Sequence, residues 1–281
     1  MIIKKNLILR TEDKKPILYD IYFKKNENPQ HVIVFCHGYK GFKDWGAWHL
    51  VAEKFAEAGF CFLKFNFSHN GGTMENPIDF PDLEAFAENN FTTELEDLDR
   101  MLKLIESGNN NLPNNISEIS LIGHSRGGGI VLIKAEEDAR IKNVITWASV
   151  SDFKPRFLED TEAFEAWKAT GVTYVENSRT KQKLPHNFQF YEDYKANEKR
   201  FTIKRAVENL TIPHLIIHGT DDSTVQEKEA KALQKWNPNC KLVLITGADH
   251  VFGAQHPWEN ENLPQDLERV ISETIDFLKK N

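Results

Sequence analysis

The chain predicts an α/β fold, with one mostly parallel central sheet and helices on both faces. Three observations lead there. Short apolar runs alternate with helix-period segments, which implies right-handed crossovers between parallel strands. Several of those runs, such as Val32-Ile33-Val34-Phe35-Cys36, are unbroken, as strands covered on both faces require. A Gly-x-Ser-x-Gly stretch, Gly123-His124-Ser125-Arg126-Gly127, stands between one such run and a helical segment.

Taken in order, residues 2–10 and 16–23 read as paired strands joined by the polar turn Glu12-Asp13-Lys14-Lys15. The run 32–36 follows, then a helix over 50–58 stopped by Gly59, then a buried strand over 61–65. Residues 93–105 form a helix with an apolar stripe of Leu95, Leu98, Leu102 and Ile105, and Thr93 with Glu96 has capping-box spacing. Its acidic residues, Glu94 to Asp99, read as a solvated face. The strand 119–122 leads into Ser125 and a helix over 130–137, and 144–148 is another strand. Strands at 214–218 and 242–245 flank a helix expected to start near Thr224, where Thr224 and Glu227 repeat the capping spacing. Residues 267–278 close the chain as an amphipathic helix.

Residues 151–210 break this rhythm. No strand is evident there, and aromatics such as Phe153, Phe157, Phe164, Trp167 and Phe190 mix with many charges. A long excursion between strands of an α/β domain is usually functional, and it would emerge at the carboxyl ends of the strands, where ligands bind. It reads as a lid or cap inserted between two parts of one core, 1–150 and 211–281, that together make a single structural domain.

Composition narrows the function. Hydrophobic residues make up 40% and charged residues 27%, as in an ordinary folded enzyme, and the formal net charge of −7 speaks against nucleic acid or an anionic membrane as partner. No apolar run approaches the ~18 residues of a spanning helix. The start of the chain reads as a strand and not as a signal peptide. Three cysteines without close spacing, Cys36, Cys61 and Cys240, suit reduced thiols and a cytoplasmic setting. A homodimer is left open. The histidines show no His-Glu-x-x-His pattern and the cysteines no cluster, so neither a metal nor a cofactor is expected.

The chemistry centres on Ser125. The glycines around it let a tight turn lift the hydroxyl clear of the sheet, where a Cβ would collide with neighbouring backbone. A serine hydroxyl needs a base within hydrogen-bond reach, and the base needs a carboxylate to hold its tautomer. Among the histidines after Ser125, His214 and His218 fall within a strand and His186 within the lid; His250, just past the last strand, leads, and His256 follows. For the acid, Asp222 is favoured over its neighbour Asp221, with Asp152 as a third option; Asp249 is too close to His250 and shapes its loop. Two backbone N–H groups should hold the oxyanion: Arg126, after the nucleophile, and Tyr39, in His37-Gly38-Tyr39-Lys40-Gly41. Gly127-Gly128-Gly129 lacks the rest of a phosphate-loop pattern and suits close packing of helix on sheet.

These motifs, with His218-Gly219-Thr220-Asp221-Asp222 and Gly247-Ala248-Asp249-His250, resemble the α/β-hydrolase superfamily over nearly the whole chain. Within it, the chain resembles the dienelactone-hydrolase and cinnamoyl or feruloyl esterase groups. The resemblance implies the α/β-hydrolase fold and a serine esterase acting on small-molecule carboxylic esters through an acyl-enzyme. The lid aromatics extend this to aromatic or apolar substrates. A prolyl-oligopeptidase-like peptidase or a thioesterase would use the same residues, and a catalytically silent binding protein is the reading from another class.

Overall fold

In the computed structural model, which describes residues 1–25 and 28–281, the chain opens with β1 (Ile2–Thr11), β2 (Lys14–Phe23) and β3 (Gln30–Cys36). Next come α1 (Trp48–Glu57), β4 (Cys61–Phe65), α2 (Leu83–Glu88), α3 (Phe91–Glu106), β5 (Ile116–His124), α4 (Arg126–Glu137) and β6 (Ile141–Trp147). Then follow α5 (Glu162–Thr170), β7 (Val172–Glu176), β8 (Lys183–Asn187), α6 (Gln189–Ala196), α7 (Glu198–Phe201) and α8 (Ile203–Glu208). The chain ends with β9 (His214–Gly219), α9 (Glu227–Trp236), β10 (Lys241–Ile245) and α10 (Gln265–Leu278).

Eight strands make one sheet in the order β1-β2-β4-β3-β5-β6-β9-β10. The β1–β2 and β2–β4 pairs are antiparallel, and every pair from β4 to β10 is parallel. After β3 the chain steps toward one sheet edge to lay down β4, then returns to place β5 on the other side of β3. That reversal opens a crevice at the carboxyl ends of β3 and β5, where open α/β sheets bind ligands.

The unbroken apolar runs follow from burial on both faces. In β3, Val32, Val34 and Cys36 enter one core while Ile33 and Phe35 enter the other. The first core is roofed by α3, α4, α8 and α9, the second by α1 and α10. Each fully buried side chain of this size contributes roughly 1.5–3 kcal/mol, so a polar residue on either face of β3 would be costly.

Three local expectations are corrected. The helix expected from Thr93 begins two residues earlier, because the Asn90 side chain accepts the Thr93 N–H at 2.8 Å and takes the capping position. Glu96 pairs with Lys14 instead of closing a capping box. The acidic face of this helix is not solvated throughout: Glu94 and Asp97 are buried. The helix expected near Thr224 starts at Glu227, because the Asp222 carboxylate takes the Thr224 N–H and holds that residue in a loop.

Between β6 and β9, residues 151–210 do contain strands. β7 and β8 pair antiparallel as a separate two-stranded sheet. They escaped the sequence because they are five residues each, half-exposed, and without apolar alternation; Pro185 even interrupts β8. Two hydrogen bonds tie the hairpin to the rest of the chain: Trp167 Nε1–H donates to the His186 carbonyl at 2.8 Å, and Gln182 Nε2–H, in the hairpin turn, donates to the Phe80 carbonyl at 2.8 Å. Among the described residues no helix is long and apolar enough to cross a membrane.

Candidate active site

Ser125 ends β5 and opens α4 with φ of 56° and ψ of −121°, a left-handed backbone unusual for a side-chain-bearing residue. Its neighbours must be glycine for the reason expected. A Cβ on Gly123 would lie 2.4 Å from the Gly127 carbonyl oxygen, and one on Gly127 would lie 2.5 Å from the carbonyl oxygens of both Cys36 and His37. The strained turn is held from below by Ser125 N–H donating to Trp147 O at 2.9 Å.

The structure brings Ser125, His250 and Asp222 into one hydrogen-bonded chain. Asp222 Oδ2 accepts His250 Nδ1–H at 2.7 Å, which leaves Nε2 unprotonated and 3.0 Å from Ser125 Oγ, placed to accept the hydroxyl proton. Oδ1 of the same carboxylate accepts the N–H groups of Thr224 and Val225, both at 2.8 Å. Burial pushes the Asp222 carboxyl up, but hydrogen bonds from His218, His250 and Val225 outweigh it and hold the group well below the carboxylate range. Asp222 is therefore charged when His250 is neutral.

The other candidates lie elsewhere. Asp221 and Asp152 are exposed, and Asp152 accepts the Lys154 N–H instead of meeting His250. Asp249 Oδ1 accepts from Val251 N–H and Gly253 N–H and so shapes the histidine loop. His256 Nδ1 accepts the Gly46 N–H at 2.9 Å. His186 lies on β8 and is hydrogen-bonded to the Tyr39 hydroxyl at 2.7 Å.

The two expected N–H donors flank the nucleophile. Arg126 follows it at the first turn of α4, and the His37–Gly41 turn packs directly on it: a Cβ on Gly38 would come within 2.8 Å of Ser125 Cβ. His37 stiffens that turn. Its Nδ1–H donates to Gly38 O at 2.9 Å, and its Nε2 accepts the Phe67 N–H; burial holds this imidazole down at about 4, so it stays neutral.

Two residues of the site were not legible in the sequence. His124 Nε2–H donates to the His250 carbonyl at 2.9 Å and so ties the histidine loop to the elbow; burial, with His250 beside it, keeps it neutral with a pKa near 3. Glu94 is buried and paired with the Arg126 guanidinium, which also lies 5.0 Å from the Tyr39 ring and 5.9 Å from the Phe190 ring. Burial raises the Glu94 carboxyl and Arg126 partly offsets that. His124 occupies a position the motif leaves free, and its partner lies 126 residues away. Glu94 was hidden by the charge run around it.

Ser125 stands between two cavities. One, of about 430 Å³, is apolar and runs under residues 151–210; Phe91, Phe153, Phe157, Trp167 and Phe190 line it. The other, of about 570 Å³, shares Tyr39, Ser125 and Thr224 with the first and has His250, Trp48, His256, Lys40 and Arg179 in its wall.

Comparison with known proteins agrees with this architecture. A family model described as the alpha/beta hydrolase fold matches residues 31–170. No curated protein matches the chain in sequence. Among solved structures, Est1E from Butyrivibrio proteoclasticus is 17% identical, with a TM-score of 0.74 over 99% of this chain and 98% of that one. The esterase domain of a Rhodothermus marinus protein is 18% identical, with a TM-score of 0.66 over 100% of this chain and 99% of that one. Dienelactone hydrolase from Anabaena variabilis is 14% identical, with a TM-score of 0.63 over 99% and 98%. By sheet order, elbow and family match, the chain has the α/β-hydrolase fold, and it resembles the dienelactone-hydrolase and feruloyl-esterase groups.

Proposed function

We propose that the chain is a serine hydrolase of carboxylic esters that works through an acyl-enzyme. The observation that carries this is the hydrogen-bonded chain from Ser125 Oγ through His250 to Asp222, built on a strained strand-to-helix turn. Ser125 Oγ attacks the ester carbonyl carbon as His250 Nε2 takes its proton. The carbonyl oxygen becomes an oxyanion facing the N–H groups of Tyr39 and Arg126, each worth about 3 kcal/mol to such a transition state. Asp222 stabilises the imidazolium. As the tetrahedral intermediate collapses, the C–O bond breaks and His250 returns the proton to the leaving alcohol. Water, deprotonated by His250, then attacks the acyl-enzyme and frees the acid and Ser125.

The same geometry supports a reading of the two cavities. His250 must reach the leaving oxygen, and it lines only the larger cavity, so the alcohol leaves on that side. The acyl group then occupies the apolar cavity, for which residues 151–210 serve as a lid. The seven Phe, Tyr and Trp rings in that wall favour an aromatic or apolar acyl group such as a hydroxycinnamoyl group. A solved structure of Est1E, similar in fold, has ferulic acid bound, which supports the same direction.

The test is fluorophosphonate labelling followed by intact mass. A single adduct on the wild type that is absent in Ser125→Ala is expected, together with hydrolysis of ethyl ferulate at least as fast as of short alkyl esters. A folded protein without adduct would sink the serine mechanism; slow ethyl ferulate cleavage beside fast short-ester cleavage would sink the aromatic acyl group alone.

A further inference from the structure

We infer that the cavity on the His250 side recognises an anionic leaving group, and that Lys40 is the residue that reads its charge. The inference rests on the serine-hydrolase reading for the name of the group, but the observations behind it are independent.

Four cations line the two cavities. Arg126 is paired with Glu94, Arg156 with Glu229 and Arg179 with Asp79. Lys40 alone has neither an ion pair nor a hydrogen bond among the described residues; its neighbour is the Tyr39 ring, 5.4 Å away. It is half-buried, and burial lowers its pKa, as expected of an ammonium that has lost water and gained no anion. Among the described residues no carboxylate side chain stands in the wall of either cavity, although the chain as a whole carries a net −7.

The backbone adds a second argument. Lys40 has φ of 55°, a conformation that glycine adopts freely and a lysine adopts at a cost. Its turn already uses glycine at 38 and 41, so the chain places a long cation where a glycine would be easier. His256 fits the same task. Its Nδ1 accepts the Gly46 N–H, so the neutral ring carries its proton on Nε2 and offers the cavity a donor, not an acceptor. A carboxylate, sulfate or phosphate on the alcohol would meet Lys40 at the surface of the cavity, and its negative charge would find no carboxylate among the described residues of the wall.

Matched esters test this. Para-carboxyphenyl butyrate and para-carbamoylphenyl butyrate differ only in leaving-group charge, and each kcat/KM is divided by the hydroxide-catalysed rate of the same ester. The expected ratio is about tenfold in favour of the anion, expressed mainly in KM. It should fall to about one in Lys40→Gln and persist in Lys40→Arg, whose retention of the ratio also rules out a folding artefact. Phenyl para-carboxybenzoate against phenyl para-carbamoylbenzoate places the charge on the acyl side instead. A ratio near one in the wild type, a ratio unchanged in Lys40→Gln, or a larger preference for the acyl-side charge would each overturn the inference. Calorimetry of para-hydroxybenzoate on Ser125→Ala, with and without Lys40→Gln, needs no turnover. Binding that depends on Lys40 in a protein that cleaves no ester would support the anion site while the hydrolase reading fails. Ester cleavage without charge preference would do the reverse.

Discussion

The sheet-edge loops and residues 151–210 both meet at Ser125, but they are held there by different forces. Around the elbow, backbone meets backbone: Gly127 against the Cys36 and His37 carbonyls, Gly219 within 2.2 Å of the Ala248 carbonyl for an added Cβ, Ser125 N–H on Trp147 O. In the segment 151–210, rings meet rings: Phe91 stacks on Phe153 at 4.0 Å, Phe157 lies 4.8 Å from Tyr194, and Trp167 lies 5.2 Å from Phe188. Backbone contacts of the first kind tolerate no added atom. Aromatic packing of the second kind tolerates exchange of one apolar shape for another. On the proposed mechanism, the chemistry then sits on the unforgiving part and substrate selection on the adaptable part.

The sharpest way to break this contrast is Gly127→Ala. The new methyl would overlap two carbonyl oxygens, so the expected cost is about 3 kcal/mol or more, with activity lost alongside solubility or cooperative melting. A stable, active variant would show that the elbow is not sterically closed. Next comes Asp222→Asn, which keeps the volume but no longer fixes the His250 tautomer. Turnover should drop by about 10⁴-fold in a protein that still melts cooperatively, whereas Asp221→Asn and Asp152→Asn should change it less than about twofold. On the other side of the comparison, Trp167→Leu should leave short alkyl esters cleaved at nearly the wild-type rate and raise KM for aromatic acyl esters about tenfold. Equal loss on both ester types would mean that this segment supports the nucleophile as well as the substrate.

The smallest expected effect is on stability in acid. Burial holds His37 and His186 at about 4, and His124 and His214 at about 3, against an unfolded value near 6.5. Below about pH 6.5 the unfolded chain protonates these rings while the folded chain keeps them neutral, so stability falls with pH until the folded values are reached. Asp97 works in the opposite direction: burial raises it to about 6, so the folded state takes up its proton first. Glu94, which burial also raises, acts in the same sense as Asp97, but four imidazoles against two carboxyls still leave a net loss, visible as a melting temperature several degrees lower at about pH 5 than at about pH 7. A flat profile across that window would contradict the buried neutral histidines.

What could be read from the sequence follows the same division. The parallel strands, the elbow and the order of Ser125, Asp222 and His250 were legible because each is written in neighbouring residues: an apolar run, two glycines at fixed spacing, an aspartate directly after a strand. The adjacent Asp221 and Asp222 left a choice that only burial resolves, since one faces water and the other His250. The β7–β8 hairpin, the inward turn of Glu94 and the bond from His124 to the His250 loop were not legible. Each depends on a partner distant in the chain, and neither periodicity nor spacing encodes such a partner.

The site is assembled from the carboxyl ends of strands laid down far apart in time: β3 and β5 early, β9 and β10 late. A ribosome-bound chain that has emerged only through α9 would already carry the strained serine turn, but not the base that activates it. On the proposed mechanism, such a chain is chemically inert, and hydrolysis begins only once β10 has added to the sheet edge and brought residue 250 across. On that mechanism, activity waits for the segment that carries residue 250 and not for the elbow.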